Sequence, residues 1–272
     1  MKKKISLKEI QQIELNILKI IDKICQDNKL TYYLAGGTLL GAVRHQGFIP
    51  WDDDIDIAMP RSDYDIFIDI MSKQKEFPYL KILWIGMCDE KYYLPFAKVV
   101  DIRTQLIFDG TQSETCHNLF VDIFPIDAYG NNEKRAKRLL KKCGGIGNWI
   151  GIAFYNRPDA DIKLRIKMLM RKYLYTVLGY KRRYYNSLNI LKKYTFGNSR
   201  YIASTYGMRK DKELIETRFF TKVQDIRFEN NTFKAPIGYK QYLKQMYGNY
   251  IKLPPVEKRK VPHATIAYWK EE

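Results

Sequence analysis

The sequence contains little cysteine and little histidine. Its four cysteines, Cys25, Cys88, Cys116 and Cys143, lie far apart and form no CxxC pair, and there are only 3 histidines. This scarcity argues against a disulfide framework, so we expect reduced thiols. Cys116 and His117 offer half of a zinc site, but no second pair follows at the spacing that such a site needs.

Long apolar runs are also lacking. No segment approaches the roughly 18 consecutive apolar residues of a transmembrane helix, so we expect none. The lysines at positions 2 to 4 resemble the charged start of a signal peptide, but the residues after them alternate between charged and apolar. We therefore expect no signal peptide and a cytoplasmic protein.

The positive charge of the chain is concentrated in one segment. The net charge is +17, and residues 131–195 alone carry 17 Lys and Arg against 3 Asp and Glu. Residues 1–130 have 15 basic residues against 19 acidic ones, and residues 196–272 have 15 against 8. A concentrated basic segment, unlike a diffuse basic surface, predicts an anionic partner.

Helix and strand patterns are mixed along the chain, which predicts an α+β protein. Ser6 and Glu9 form a capping box that opens an amphipathic helix to about residue 28. Further helices are predicted over residues 39–45, over 62–73 with Ser62 as N-cap, and over 239–247, where Gly248 ends the helix. Strands are predicted over residues 32–35, 55–58, 80–85, 92–100, 105–108 and 119–124. Residues 131–195 have helical periodicity.

An acidic run, WDDDID at residues 51–56, interrupts the apolar pattern. If the run is a strand, Asp52, Asp54 and Asp56 share one face and Asp53 lies on the other, so Asp53 should tolerate replacement best. Clustered carboxylates repel one another unless a cation neutralises them, and oxygen ligands favour magnesium. A solvated acidic loop is the alternative, but the interleaved apolar residues and the lone Asp122 inside an apolar strand favour a metal site.

A glycine pair stands between a predicted strand and a predicted helix. Gly36 and Gly37, followed by Thr38, allow the backbone to approach a phosphate closely at a helix N-terminus. Alone, two glycines are most often a simple turn. Together with the acidic run they predict a single nucleotide-and-metal site.

Three stretches carry a resemblance to a known family. Residues 35–56 (AGGTLLGAVRHQGFIPWDDDID) resemble the signature of the LicD family, which comprises phosphocholine transferases of bacterial surface glycans and is related to the fukutin proteins. Residues 121–127 (VDIFPID) resemble its second motif. The C-terminal motif is matched by YGNY at 247–250, LPP at 253–255, Lys258, Arg259 and His263. Residues 131–195 carry no recognisable motif.

The resemblance implies a nucleotidyltransferase-like mixed β-sheet flanked by helices, with a basic helical insertion. Residues 1–130 would form the catalytic core with its N-terminal helix, residues 131–195 the basic helical segment, and residues 196–272 would complete the active site of one compact unit. It also implies a Mg²⁺ (or Mn²⁺) ion held by Asp54, Asp56 and Asp122.

The implied reaction is transfer of phosphocholine from CDP-choline to a sugar hydroxyl of a surface glycan, such as teichoic acid or lipopolysaccharide. The substrate-binding candidates in the matched motifs and beside them are Gly36, Gly37, Thr38, Arg44, His45, Lys98 and Arg259. Lys98 has an alternative interpretation as a strand residue that extends its ammonium to solvent. The general base is either His263 or Asp52, and each has a purely structural alternative.

The segment 162–174 (IKLRIKMLMRKYL) predicts a basic amphipathic helix. Such helices lie on anionic membranes, which would suit a lipid-linked acceptor at the inner face of the cell membrane. A helix packed on the protein with a solvated face is the alternative.

Other functions fit parts of the sequence. A CDP-glycerol- or CDP-ribitol-dependent phosphotransferase would use the same site. An RNA-acting nucleotidyltransferase would share the fold and the basic charge, but no RNA-recognition motif is visible, so we expect no nucleic-acid partner. A non-catalytic protein of this fold would be expected to lose one of the three metal-binding acids, and all three are present.

Overall fold

The fold is built on a mixed β-sheet covered by helices, as a computed structural model shows. The structure describes residues 3–87, 92, 94–108, 118–154, 161–177, 179–207, 209–261 and 265–270. The strands are β1 Lys4–Ile5, β2 Tyr33–Leu34, β3 Ile55–Pro60, β4 Leu80–Leu83, β5 Ala97–Asp101, β6 Thr104–Phe108, β7 Leu119–Ala128, β8 Tyr201–Ser204, β9 Ile215–Glu216, β10 Val223–Phe228, β11 Asn231–Pro236 and β12 Thr265–Trp269. The α-helices are α1 Leu7–Asp27, α2 Gly36–His45, α3 Arg61–Lys73, α4 Glu133–Phe154, α5 Ile162–Val177, α6 Tyr180–Leu191 and α7 Tyr239–Tyr247.

Strand β7 organises the main sheet. It is 10 residues long and almost continuously buried, and it pairs with β3 in parallel and with β5 and β8 antiparallel. The 7-stranded sheet has the order β2-β3-β7-β5-β4, with β8 and then β9 added beside β7. Mixed pairing of this kind, with helices packed on the sheet, confirms the predicted α+β class.

Helix α1 forms as its sequence predicts. Ser6 is the N-cap, and both halves of its capping box with Glu9 are present. The apolar stripe of the helix packs on the sheet, with Leu18 and Ile21 fully buried. The helix ends at Asp27, one residue before the predicted end.

Two helix starts differ from the predictions. Helix α2 begins at Gly36, within the glycine pair, rather than at residue 39. The prediction that Ser62 caps α3 is wrong, because Pro60 occupies the N-cap position and Ser62 lies inside the first turn, where its hydroxyl donates to Asp63. Helix α7 spans the predicted residues and ends before Gly248, whose φ of 70° suits glycine.

The strand predictions over residues 55–58, 105–108 and 119–124 are confirmed. The predicted strand 32–35 is shorter, at Tyr33–Leu34, the strand predicted over 80–85 ends at Leu83, and the run 92–100 forms a strand only from Ala97 onward. Short strands were missed, including the β10-β11 hairpin and β12, which pairs with both β1 and β6. Strands of two to six residues carry too few side chains for a clear alternation.

The basic segment is helical, as predicted. It forms α4, α5 and α6 between β7 and β8, and α4 packs through Ala136, Leu140 and Cys143 against Tyr129 and Tyr201. Cys143 and Cys25 are buried free thiols, in agreement with the expected reduced state, while Cys88, Cys116 and His117 lie outside the described residues. No helix in the described ranges has the length and apolarity needed to cross a membrane.

A buried ion pair joins α3 to β7. The Arg61 guanidinium donates to both carboxylate oxygens of Asp127, from Nε at 2.7 Å and from Nη2 at 2.9 Å. Asp127 also accepts from the Thr205 hydroxyl, which lies 2.8 Å from that of Tyr129. Asp127 is only 2% exposed, so its loss would leave the Arg61 charge buried without this partner.

Asp127→Ala should therefore lower the free energy of unfolding by about 3–5 kcal/mol, the usual cost of breaking a buried pair by removing one partner. Urea unfolding followed by circular dichroism measures the change. Asp69→Ala is the matched control, because its ion pair with Lys73 lies on the surface, and it should leave the unfolding midpoint almost unchanged. Equal midpoints for the two variants would contradict the role of the buried pair.

Candidate active site

Strand β3 begins at Ile55, as predicted, so Asp52, Asp53 and Asp54 lie before the strand and not in it. One carboxylate oxygen from each of these three aspartates lies within 4.8 Å of the others. Asp53 is 4% exposed. The prediction that Asp53 faces away from its neighbours is wrong, because the alternation of a strand does not apply to an irregular segment.

Asp56 and Asp122 are brought together by the pairing of β3 with β7. The two residues are register partners in the parallel ladder, so their side chains leave the sheet on the same face. Burial and the negative charges of Asp54, Asp122 and Asp52 raise the pKa of Asp56 well above its usual value. The site is therefore short of positive charge.

Lys98 supplies part of that charge. It is the register partner of Asp122 on β5, and its ammonium forms an ion pair with the Asp122 carboxylate. The ammonium also lies 3.2 Å from the centroid of the Phe120 ring. Because Lys98 is 5% exposed, the alternative in which its side chain extends to solvent is wrong.

The glycine pair lies against the aspartates. A Cβ atom on Gly36 would be 2.5 Å from Asp56 Oδ2, and one on Gly37 would be 2.8 Å from Asp52 Oδ2. Thr38 Oγ1 accepts a hydrogen bond from the Asp56 backbone N–H at 2.8 Å. The first turn of α2, which offers free N–H groups, is thus held beside the carboxylates.

Basic and aromatic groups lie at the other end of α2. Arg44 Nε donates to His45 Nε2 at 3.0 Å, and Arg44 Nη1 donates to the Tyr250 carbonyl at 3.3 Å. Burial and the Arg44 charge lower the pKa of His45, which favours its neutral form. The Arg259 guanidinium lies 5.7 Å from the Trp51 ring, and the His45 ring meets the same indole edge-on.

These contacts bring most of the predicted site residues into one region. The charges of Asp52 and Arg259 both act on Arg44. Arg44 therefore connects the basic group at this end of α2 with the acidic cluster. His263 lies outside the described residues, so its candidate role as a base stays a prediction.

Two residues of the site were not predicted. Tyr242 of α7 accepts a hydrogen bond from the Gly36 backbone N–H at 3.3 Å. Glu14 of α1 is fully buried, and the charges of Asp54 and Asp53 act on it. Its spacing, four residues after Ile10 and three before Ile17, places it on the apolar face of the helix and is a signal for its burial, but no sequence signal connects Glu14 or Tyr242 with the acidic run.

The donor set fits a divalent cation. Asp52, Asp53 and Asp54 have oxygens close enough to share an ion, and Asp56 lies beside Asp122, which pairs with the buried Lys98. Hard carboxylate oxygens are the ligands that Mg²⁺ and Mn²⁺ accept. A helix N-terminus beside such carboxylates can also receive a phosphate, so the arrangement is that of an enzyme acting on phosphorylated substrates.

Comparison with known proteins identifies the family. The model of the family described as LicD/FKTN/FKRP, nucleotidyltransferase domain, matches residues 29–142. The chain is 33% identical over 270 residues to the lipopolysaccharide cholinephosphotransferase LicD of Haemophilus influenzae. The matched residues make up 98% of this chain and 99% of that protein. The chain belongs to the LicD family and is a transferase.

Two further relatives come from rickettsiae. An uncharacterized protein of Rickettsia typhi is 34% identical over 118 residues, or 43% of this chain and 35% of that protein. An uncharacterized protein of Rickettsia prowazekii is 47% identical over 47 residues, or 17% of this chain and 18% of that protein. The longer likeness to the Haemophilus transferase is the one that extends to both ends of the chain.

Gly36→Ala tests the close contact of the glycine pair with the aspartates. Its φ of +51° makes an alanine cost about 1–2 kcal/mol, and the new methyl group would displace the Asp56 carboxylate. We expect turnover to fall roughly 100-fold, the scale of effect that a displacement of about 1 Å can have. Gly145→Ala is the control, since its Cβ would contact no other group within 4 Å, and it should keep full turnover. A Gly36→Ala enzyme with normal turnover would contradict the assigned geometry.

Proposed function

We propose that the protein transfers phosphocholine from CDP-choline to a sugar hydroxyl of a surface glycan, with lipopolysaccharide as the first acceptor class. The observation that carries this proposal is the nearly full-length likeness to the cholinephosphotransferase of Haemophilus influenzae. The acidic cluster beside a glycine-opened helix supports it, because a diphosphate donor needs both charge neutralisation and close backbone approach. A nucleotidyltransferase-like fold is part of the same proposal.

In this proposal Asp54, Asp56 and Asp122 hold Mg²⁺ (or Mn²⁺), and the position of Asp52 and Asp53 adds two carboxylates to the candidates. A bound ion would neutralise the diphosphate and the charge that develops on it. Lys98 keeps the Asp122 carboxylate oriented and adds one positive charge beside it.

The chain's own residues orient the donor. The backbone N–H groups of Gly37 and Thr38 bind the diphosphate beside Gly36, whose own N–H donates to Tyr242, while Arg44 and Arg259 offer planar guanidinium donors to its oxygens. His45, kept neutral by burial and by Arg44, offers a hydrogen-bonding ring in the same region. These groups position the distal phosphorus for in-line attack.

The transfer step then requires a proton acceptor. The acceptor hydroxyl oxygen forms a bond to the distal phosphorus, the phosphorus–oxygen bond to CMP breaks, and the hydroxyl proton passes to a base. Asp52 is the candidate base among the described residues, and His263 is the second candidate. Neutralisation of the phosphate charge and alignment of the reacting atoms contribute more to this step than covalent catalysis does.

Related donors fit the same site. CDP-glycerol and CDP-ribitol share the cytidine diphosphate group, and teichoic acid offers hydroxyls comparable to those of lipopolysaccharide. The full-length likeness favours choline over these donors and over an RNA substrate.

Release of CMP from CDP-choline by the purified protein, with Mg²⁺ and an acceptor glycan, tests the function. CDP-glycerol, CDP-ribitol and nucleoside triphosphates run in parallel as competing donors. We expect CDP-choline to give the fastest release, and EDTA to abolish it. Faster release with another CDP-alcohol would correct the donor, and pyrophosphate release from a nucleoside triphosphate would correct the reaction class.

Asp54→Ala, Asp56→Ala and Asp122→Ala should each lower CMP release at least about 100-fold, because each removes a carboxylate from the charge-neutralising site. Asp225→Ala is the control, since this aspartate lies on the exposed β10-β11 hairpin and pairs with Lys234 there. Near-normal turnover of any of the three variants would show that its carboxylate does not serve the cation.

Helix α5 supports a second part of the proposal, contact with an anionic membrane. Its exposed apolar side chains recur at helical spacing and stand between 46% and 74% exposed: Ile162, Ile166, Leu169, Met170, Tyr173, Leu174 and Val177. The helix has five Lys and Arg and no acidic residue. An exposed apolar stripe flanked by cations matches an anionic lipid surface, where a lipid-linked acceptor would be presented.

Sedimentation with lipid vesicles tests the membrane contact. The triple variant Ile166→Ser, Leu169→Ser, Tyr173→Ser should bind anionic vesicles at least about tenfold more weakly, because each buried apolar side chain contributes on the order of 1–2 kcal/mol. The control carries Ile66→Ser, Val223→Ser and Ile237→Ser, three similarly exposed positions outside α5, and should bind as the unaltered protein does. Equal binding to neutral and anionic vesicles would remove the membrane proposal.

A further inference from the structure

Glu14 is a buried carboxylate in the middle of α1. It is 0% exposed, among the apolar side chains with which the helix packs on the sheet. Neither of its carboxylate oxygens has a hydrogen-bond partner among the described residues. An ionised carboxylate buried in this way is costly unless a cation or a donor compensates it.

The position of α1 places Glu14 beside the acidic run. One turn earlier, Gln11 donates from Nε2 to the backbone carbonyl of Asp52 at 2.9 Å. Residues three apart lie on the same face of a helix, so Glu14 and Gln11 face the same part of the protein. Burial, followed by the charges of Asp54 and Asp53, raises the pKa of Glu14 well above its usual value.

Two buried acids that lie outside the acidic cluster have protein donors. Glu213 accepts the Arg209 backbone N–H at 3.0 Å, and Asp127 accepts the Arg61 guanidinium. Glu14 differs from both, because neither of its oxygens accepts a hydrogen bond from the described residues and the charges that act on it most strongly are those of carboxylates. A set of carboxylates around an unpartnered, fully buried one is the arrangement that a divalent cation stabilises.

We propose that Glu14 is a further carboxylate of the divalent-cation site, contributed by α1 to the aspartates of the acidic run. This inference rests on the cation site of the proposed function and extends it to a helix that lies before residues 29–142, the part matched by the family model. Helix α1 then has two roles, since its apolar stripe packs on the sheet and Glu14 completes the charge of the site.

Binding of Mn²⁺ to the whole purified chain, measured by titration calorimetry, tests the inference without relying on turnover. Glu14→Gln keeps the side-chain shape and removes the charge. We expect its Mn²⁺ affinity to fall roughly 10–100-fold, the range found when groups that support metal ligands are changed. In EDTA the melting temperature of Glu14→Gln should be higher than that of the unaltered protein, because the repulsion among the carboxylates falls. Addition of Mn²⁺ should then raise the melting temperature of the variant by less than it raises that of the unaltered protein.

Two controls separate the possible failures. Glu213→Gln alters another buried glutamate of the described residues, outside the acidic cluster, and should leave Mn²⁺ affinity unchanged, whereas Asp54→Asn should weaken it. If Asp54→Asn weakens Mn²⁺ binding and Glu14→Gln does not, Glu14 is a neutral core acid and this inference fails while the cation site stands. If neither variant changes binding, the cation site fails as well.

A second variant guards against misfolding. Glu14→Leu replaces the carboxylate by an apolar side chain that suits a buried helical position. It should fold in EDTA, as judged by its circular dichroism, and lose Mn²⁺ affinity as Glu14→Gln does. A folded Glu14→Leu variant with unchanged Mn²⁺ affinity would overturn the inference.

Discussion

Mutual repulsion among carboxylates is the constraint on which the site depends. Strand β3, strand β7 and the segment before β3 each bring acids to one place, and the backbone of Gly36 closes against them. Within the described residues, Lys98 offsets one of these charges through its pair with Asp122. Such an arrangement is unfavourable by itself, and the cation of the proposed function would stabilise it, so folding of this region and loading of the site would be linked.

Strand β7 separates two uses of buried charge. Asp122 and Asp127 are five residues apart, so the alternation of the strand directs them to opposite faces. Asp122 lies in the acidic cluster and pairs with Lys98, while Asp127 forms a buried structural link with Arg61 and Thr205. The same motif therefore contributes one acid to the proposed cation site and one to the stability of the fold.

The acidic run shows where a local pattern fails. Its spacing would put Asp52, Asp54 and Asp56 on one face of a strand, whereas strand pairing begins only at Ile55, where β7 offers a partner, and β2 joins at Ile57. Glu14 shows a different limit. It lies on the apolar face of α1, four residues after Ile10 and three before Ile17, so the helix alone directs it toward the sheet, but only the fold places it beside the acidic run.

The sequence by itself determined the capping box of α1, the helices of residues 131–195, the glycine pair and the identity of the acids at positions 54, 56 and 122. These follow from contacts within a few residues or from a continuous motif. Tertiary structure alone decided that Asp53 joins its neighbours, that Lys98 pairs with Asp122, and that Glu14 and Tyr242 reach the site. Each of these depends on the packing of separate elements, and no local spacing encodes that packing.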